Sequence, residues 1–160
     1  MMSILMMGAG HLQNIHPLFV HFPIGLLLGS GFFYVLAWIS KREIFIQAAF
    51  ATLVLGAISA AFAVGTGLYA EDGVMISRSV REHLLVRHKE LMLFAASLSW
   101  VLAIWAAVAR YFPRKGRTVF LLIFLGLAGI LALGADYGGR MVYDYNAGGD
   151  ACPQPIDFVK

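Results

Sequence analysis

Apolar residues along this chain are gathered into four long runs, and short polar segments separate each run from the next. Each run reaches or nearly reaches the roughly 20 residues that a helix needs to cross about 30 Å of hydrocarbon. Because the bilayer core offers no water to bond with exposed backbone groups, such runs are expected to be helices. The strict polar–apolar alternation of a membrane barrel is absent. The predicted spans are residues 17–39, 44–70, 88–109 and 118–135.

The charged residues between the runs predict how the helices are oriented. The two short turns, after the first and third runs, carry six basic residues, namely Lys41, Arg42, Arg110, Arg114, Lys115 and Arg117. An excess of basic residues marks cytoplasmic loops, so both turns are expected inside the cell. Both termini and the connection 71–87 then lie outside. We therefore predict an all-α integral membrane four-helix up-down bundle in the bacterial inner (cytoplasmic) membrane, with both termini on the periplasmic side.

Composition agrees with a membrane protein and excludes other classes. The chain has 160 residues, of which 60% are hydrophobic and 13% charged, whereas soluble domains have about 25% charged residues. We assign residues 1–149 to one four-helix domain and residues 150–160 to an extended C-terminal tail. The net charge of +3 does not indicate nucleic-acid binding, because topology explains where the basic residues lie. The single cysteine, Cys152, excludes an internal disulfide and the CxxCH attachment of a c-type haem.

Four of the five histidines cluster at the outer ends of the first and third spans. These four are His16, His21, His83 and His88, and the fifth, His11, lies in the leader. On a straight helix, a spacing of five residues puts the second histidine of each pair about 7.5 Å deeper than the first. Matching these depths predicts that His21 pairs with His88 and that His16 pairs with His83. Histidines on facing helices of a bundle can hold haem b, so all four are candidate axial ligands for one or two haems.

Other residues on the outer side could complete a haem site or receive a redox partner. Gly25 and Gly29 follow His21 on the same helix face and predict a smooth groove below it. Asp136 and Tyr137 are the polar groups near the end of the fourth span that could belong to a quinone site. Four arginines could neutralise haem propionates, namely Arg78, Arg81, Arg87 and Arg140. The ordinary alternatives are close helix packing for the glycines and a solvated loop for the arginines.

The opening of the first span resembles that of a known family. Residues 16–23 are H-P-L-F-V-H-F-P, and members of a family of small four-helix bacterial membrane proteins, catalogued as a domain of unknown function, typically begin with H-P-x-x-V-H-F-P. The family's Thr-Gly step at the end of the second helix matches residues 65–67, and its histidine at the start of the third matches His88. Its G-G-x-x-V-Y segment after the fourth matches residues 138–143. The resemblance covers nearly the whole chain, up to about residue 149.

Members of that family look like b-type cytochromes and are often fused to, or encoded near, c-type cytochrome domains. The resemblance therefore implies electron transfer through a histidine-ligated haem. We predict a b-type cytochrome subunit that moves electrons between a periplasmic partner, such as a c-type cytochrome or another redox subunit, and a membrane partner or quinone. The sequence shows no set of nucleophile, base and orienting group, so we expect an electron-transfer subunit with no catalysis of its own.

Two other functions are compatible with the same pattern. A cofactor-free structural or assembly subunit would use the histidines as hydrogen-bonding groups at the membrane interface. A metal transporter would use them as ligands, but transport needs polar groups through the whole depth of the membrane. The inner halves of the spans are almost purely apolar, which disfavours transport.

Overall fold

The computed structural model describes residues 15–147. Four long helices account for most of this range: α1 (His16–Ser40), α2 (Glu43–Ala70), α3 (Arg78–Val108) and α4 (Arg117–Tyr143). Each is long and apolar enough to cross a membrane, and no strand occurs between residues 15 and 147. The prediction of an all-helical chain with four membrane-length helices is confirmed. The predicted C-terminal tail, Cys152 and His11 lie outside the described residues.

The first helix is interrupted near its start. It consists of a short turn, His16–Phe19, and a longer helix, His21–Ser40, which are separated by Val20. Pro23 explains the interruption, because proline has no N–H for the carbonyl of the residue four positions earlier, Phe19, and its ring crowds that carbonyl. Val20 itself keeps right-handed helical dihedral angles (φ −64°, ψ −27°), so both parts belong to one membrane-length helix.

The third helix begins at Arg78, well before the predicted start at residue 88. The Ser77 side chain caps this start by accepting a hydrogen bond from Val80 N at 3.3 Å. A π-helical turn, Arg81–Leu85, follows and adds a residue to the ordinary helical repeat. The Arg81 guanidinium holds the preceding connection in place by donating to the carbonyl oxygens of Glu71 (3.1 Å) and Val74 (3.2 Å).

The helices pack around a core of buried apolar side chains. At the end that bears the two basic turns, the buried Tyr34 ring contacts the rings of Phe112, Phe120 and Phe124 at centroid distances of 5.1, 5.0 and 5.6 Å. These contacts join α1, α4 and the turn that precedes α4. Helix α1 packs extensively against α2, and α2–α3 and α3–α4 also pack closely, whereas α1 and α4 touch over a shorter stretch.

The outer surfaces of the helices are as apolar as their interior. Phe62, Leu125 and Val108 are 66%, 70% and 78% exposed, respectively. Soluble proteins rarely expose large continuous apolar surfaces, and such surfaces are expected where helices face acyl chains. The chain is therefore a multi-pass membrane protein in contact with lipid.

Candidate functional site

His16 lies in the first turn of α1, and its ring rests against α2. A Cβ atom built on Gly67 would lie only 3.0 Å from His16 Cε1 and 3.2 Å from Nδ1. The imidazole thus occupies space that any other residue at position 67 would fill. The neighbouring Thr66 places its Oγ1 atom 3.1 Å from His16 Nδ1.

His88 lies in α3, and its ring rests in the same way against α4. A Cβ atom built on Gly138 would lie 3.0 Å from His88 Cε1 and 3.1 Å from Nδ1. His88 Nδ1 donates a hydrogen bond of 2.7 Å to the carbonyl oxygen of Gly134, one turn earlier in α4. Each histidine is therefore held by the helix that follows its own helix in the chain.

The His16 and His88 rings meet each other. Their centroids are 6.3 Å apart, and the ring planes are inclined by 78°. Both residues are partly buried. The start of α1, the end of α2, the outer part of α3 and the end of α4 therefore come together around one pair of imidazoles.

The hydrogen bonds of this pair indicate which ring nitrogens carry protons. A carbonyl oxygen only accepts, so His88 Nδ1 is the protonated nitrogen in its bond to Gly134. Thr66 Oγ1 donates its one proton to the carbonyl of Ala63 at 2.9 Å, so it accepts from His16 Nδ1. In both neutral rings, the lone pair then belongs to Nε2, the nitrogen that a metal would bind.

The structure does not pair the histidines as their sequence spacing predicted. His88 contacts His16, whereas the prediction paired it with His21, whose side chain is exposed. His83 is also exposed, and its Nδ1 donates to the carbonyl of Ser79 at 2.8 Å. The prediction assumed straight helices that begin at the same depth, whereas α3 begins at Arg78 and contains a π-helical turn before His88.

The four arginines predicted to meet haem propionates each have a partner in the protein. Arg78 pairs with Glu82 at 2.8 Å, Arg87 with Glu90 at 3.0 Å and Arg140 with Asp144 at 3.7 Å. Arg81 bonds to the two carbonyl groups of the connection before α3. Their role toward propionates stays a prediction.

Lys89 is a charged residue near the pair to which the sequence analysis gave no role. Its Nζ atom forms an ion pair of 2.6 Å with Glu71 Oε1, and both side chains are largely shielded from solvent. This ion pair ties the end of α2 to α3 next to His88. Together with Arg81, it fixes the connection that borders the site.

Comparison with known proteins identifies the family. The profile of a family described as "Predicted membrane protein (DUF2231)" matches residues 12–151, which is most of the chain. The chain belongs to the DUF2231 family. Neither the curated proteins nor the solved structures contain a match. The family description names a membrane protein and no activity, so the function of this DUF2231 chain has to follow from its site.

Sequence reasoning found the two histidines of this DUF2231 chain but not the residues that hold them. Thr66 and Gly67 belong to the Thr-Gly step, and Gly138 opens the G-G-x-x-V-Y segment, yet neither segment was assigned to a histidine. The order of the helices along the chain could have predicted which glycine lies next to which histidine. In a tight hairpin of two helices of similar length, the start of the first helix lies beside the end of the second.

The donor set of the DUF2231 chain consists of two imidazoles, one from α1 and one from α3. Structural zinc sites use four protein ligands and catalytic sites three, whereas residues 15–147 contain no group of three or more His, Cys, Asp or Glu side chains placed to hold a metal. A porphyrin supplies four nitrogen ligands itself, so the protein has to supply only one or two axial ligands. Two imidazoles with Nε2 lone pairs, flanked by Gly67 and Gly138, meet that requirement.

Proposed function

We propose that this chain is a b-type cytochrome subunit that holds one haem b between His16 and His88. It transfers electrons between a periplasmic redox partner, such as a c-type cytochrome, and a membrane partner or quinone. The observation that carries the proposal is the contact of two imidazoles from different helices, each with its Nδ1 atom bound to the protein. The bound haem supplies the redox chemistry, while the protein binds, orients and buries it.

The position of the two rings supports this proposal. His16 and His88 would hold the haem with one imidazole each, from two different helices. Their ring centroids are 6.3 Å apart, a separation that neighbouring aromatic rings also show, so the hydrogen bonds at Nδ1 add separate support.

Histidines that bind metals almost always donate their other ring N–H to a carboxylate, a carbonyl or a water. His88 has this arrangement with the Gly134 carbonyl, and His16 has its counterpart with the Thr66 hydroxyl. Both bonds fix the ring orientation before any ligand arrives. A histidine that merely fills space at a membrane interface needs neither the glycine against its ring nor a fixed Nδ1–H partner.

We place the chain as a four-helix up-down bundle in the bacterial inner membrane, with both termini and the haem site on the periplasmic side. The contacts of His16 with α2 and of His88 with α4 are those expected when neighbouring helices run in opposite directions. The basic turns at the other end support a cytoplasmic position for that end. A haem at the outer end is accessible to a periplasmic electron-transfer partner.

The first experiment is a dithionite-reduced minus oxidised visible spectrum of the purified protein, with haem quantified against protein. We expect the sharp α band of a low-spin b-type haem at one haem per chain. His16→Ala and His88→Ala should each abolish the low-spin band, because either change removes one axial nitrogen. His21→Ala and His83→Ala are the matched controls and should keep it, since both side chains are exposed.

A flat spectrum from folded, haem-supplied protein would contradict the proposal and favour the cofactor-free structural subunit. A band that persists in His16→Ala and disappears in His21→Ala would restore the pairing predicted from sequence spacing. A value of two haems per chain would contradict the single site proposed here.

A further inference from the structure

His21 and Asp136 are ionisable side chains of the membrane helices that have no partner within the described part of the chain. His21 in α1 and Asp136 in α4 are both exposed, and neither forms a hydrogen bond or an ion pair with any residue between 15 and 147. Ionisable groups in membrane helices are costly and normally mark a functional site or have a polar partner. Something outside the described chain should therefore satisfy these two groups.

The packing of α1 against α4 puts His21 and Asp136 at a similar depth. A Cβ atom built on Gly31 would lie 3.0 Å from Phe124 Cδ1, which fixes the register of the two helices. From Gly31, His21 lies about 15 Å toward the outer end, and from Phe124, Asp136 lies about 18 Å in the same direction. The two side chains are thus within one helical turn in height on neighbouring helices.

An apolar groove runs along the same two helices and begins about one and a half helical turns inward of this level. It encloses about 190 Å³, and its lining includes Leu28, Phe32, Leu125 and Ala128. Leu28 and Phe32 follow His21 by seven and eleven residues, and Asp136 follows Leu125 by eleven, so each polar group shares a helix face with lining residues.

The surface between His21 and the groove is open. A Cβ atom built on Gly25 or Gly29 would meet no atom within 4 Å. The smooth surface predicted below His21 is present, but it faces the outside of α1 and not His88. A ligand could therefore lie continuously from His21 down into the groove.

We propose that the groove between α1 and α4 binds an isoprenoid quinone, with its ring between His21 and Asp136 and its tail along the apolar lining. The imidazole N–H of His21 and the carboxyl of Asp136 suit the oxygens of a quinone or quinol, which accept and donate hydrogen bonds. From His21 to Val35, the inner end of the lining on α1, the helix rises about 21 Å. That length suits a long hydrocarbon tail.

The redox role of this site rests on the proposed function, for which it supplies the membrane partner. Asp136 lies midway in sequence between Gly134 and Gly138, which both contact His88. Two residues rotate a helix by about 200°, so Asp136 is on the face of α4 opposite His88. The quinone ring and the histidine pair are then separated by about one helix diameter, roughly 10 Å.

Photolabelling tests the site without relying on electron transfer. Purified protein in phosphatidylcholine nanodiscs is irradiated with an azido-substituted ubiquinone analogue, and labelled peptides are identified by mass spectrometry. We expect label on α1 near His21 and on α4 near Asp136, displaced by unlabelled decylubiquinone but not by added phospholipid.

Matched variants separate the groove from non-specific labelling. Ala128→Trp fills the groove and should reduce labelling at least about tenfold, as should the double change His21→Ala with Asp136→Asn. Ala107→Trp, at an exposed position of α3, should leave labelling unchanged. His16→Ala should keep the label although it loses haem, so a missing haem and a missing quinone site give different results.

Three outcomes would overturn the inference while leaving the haem proposal intact. One is uniform labelling that no variant and no competitor changes. Another is displacement of the label by phospholipid, which would identify the groove as a lipid site. The third is a dimer that Ala128→Trp dissociates, which would identify this face as the contact between two copies of the chain.

Discussion

At the residue scale, the candidate site depends on two glycines as much as on two histidines. Gly67 and Gly138 each let an imidazole lie directly against a helix backbone. The methyl group of an alanine at either position would fill the space next to the ring. Close packing of this kind fixes the ring, because a ring in contact with a helix backbone cannot turn without moving the helix. The two glycines therefore determine where the imidazoles lie, in addition to permitting close helix packing.

The two glycines of the Thr-Gly step allow a direct test of this idea. Gly67→Ala should push the His16 ring out of place at a cost of about 1–3 kcal/mol, which corresponds to a loss of haem affinity of about 5-fold to 150-fold. The matched control is Gly65→Ala, since a Cβ atom there meets nothing within 4 Å. Haem titration of the two apoproteins measures the difference. Equal affinities would show that the glycine contact does not position His16.

At the element scale, the four helices were predictable from the sequence, but the details that align the histidines were not. Long apolar runs determine where helices must form, because lipid leaves the backbone no other partner. The early start of α3 depends on the Ser77 cap and on Arg81 holding the preceding connection, which are contacts between polar residues that hydropathy does not detect. Residue spacing alone paired His88 with His21, whereas the structure brings His88 to His16.

Close approach of α1 to α2 should make the fold sensitive at Gly56. A Cβ atom on this buried glycine would lie 2.8 Å from Leu27 Cδ2, and Leu27 is itself buried. We expect Gly56→Ala to destabilise the protein by about 1–3 kcal/mol through overpacking, only partly offset by about 1 kcal/mol of better helix propensity.

The control for Gly56 is Gly126→Ala, where a Cβ atom meets nothing within 4 Å. It should leave stability unchanged or raise it by up to about 1 kcal/mol. Unfolding midpoints in detergent, measured by circular dichroism, compare the two variants. If both variants unfold together, the α1–α2 contact is looser than the structure indicates.

At the scale of the whole molecule, charge distinguishes the two ends of the helices. One end carries the two turns with their six basic residues. The other end carries the histidine pair, and there basic residues in the first part of α3 are paired with acidic ones, as in Lys89–Glu71 and Arg78–Glu82. Pairing balances the charge at this end, whereas the two turns carry an excess of basic residues, which under the proposed topology places them in the cytoplasm.

Cysteine labelling tests this orientation in living cells. In a Cys152→Ser background, Met75→Cys in the connection before α3 should react with a membrane-impermeant maleimide in intact cells. Lys115→Cys in the second basic turn should react only after the inner membrane is permeabilised. Met75 is 56% exposed and Lys115 is also exposed, so neither should be shielded by the protein. The opposite pattern would invert the proposed topology and place the histidine pair at the cytoplasmic face.

The close contact between an imidazole and a glycine occurs twice in the chain, once in each pair of helices. His16 on Gly67 and His88 on Gly138 are equivalent contacts within successive hairpins, and the two rings meet. Each hairpin therefore contributes one ring to the pair, and each ring contacts the later helix of its own hairpin. Each half of the chain carries one imidazole and the glycine that it contacts. A cut between α2 and α3 would therefore leave neither fragment with both imidazoles of the site.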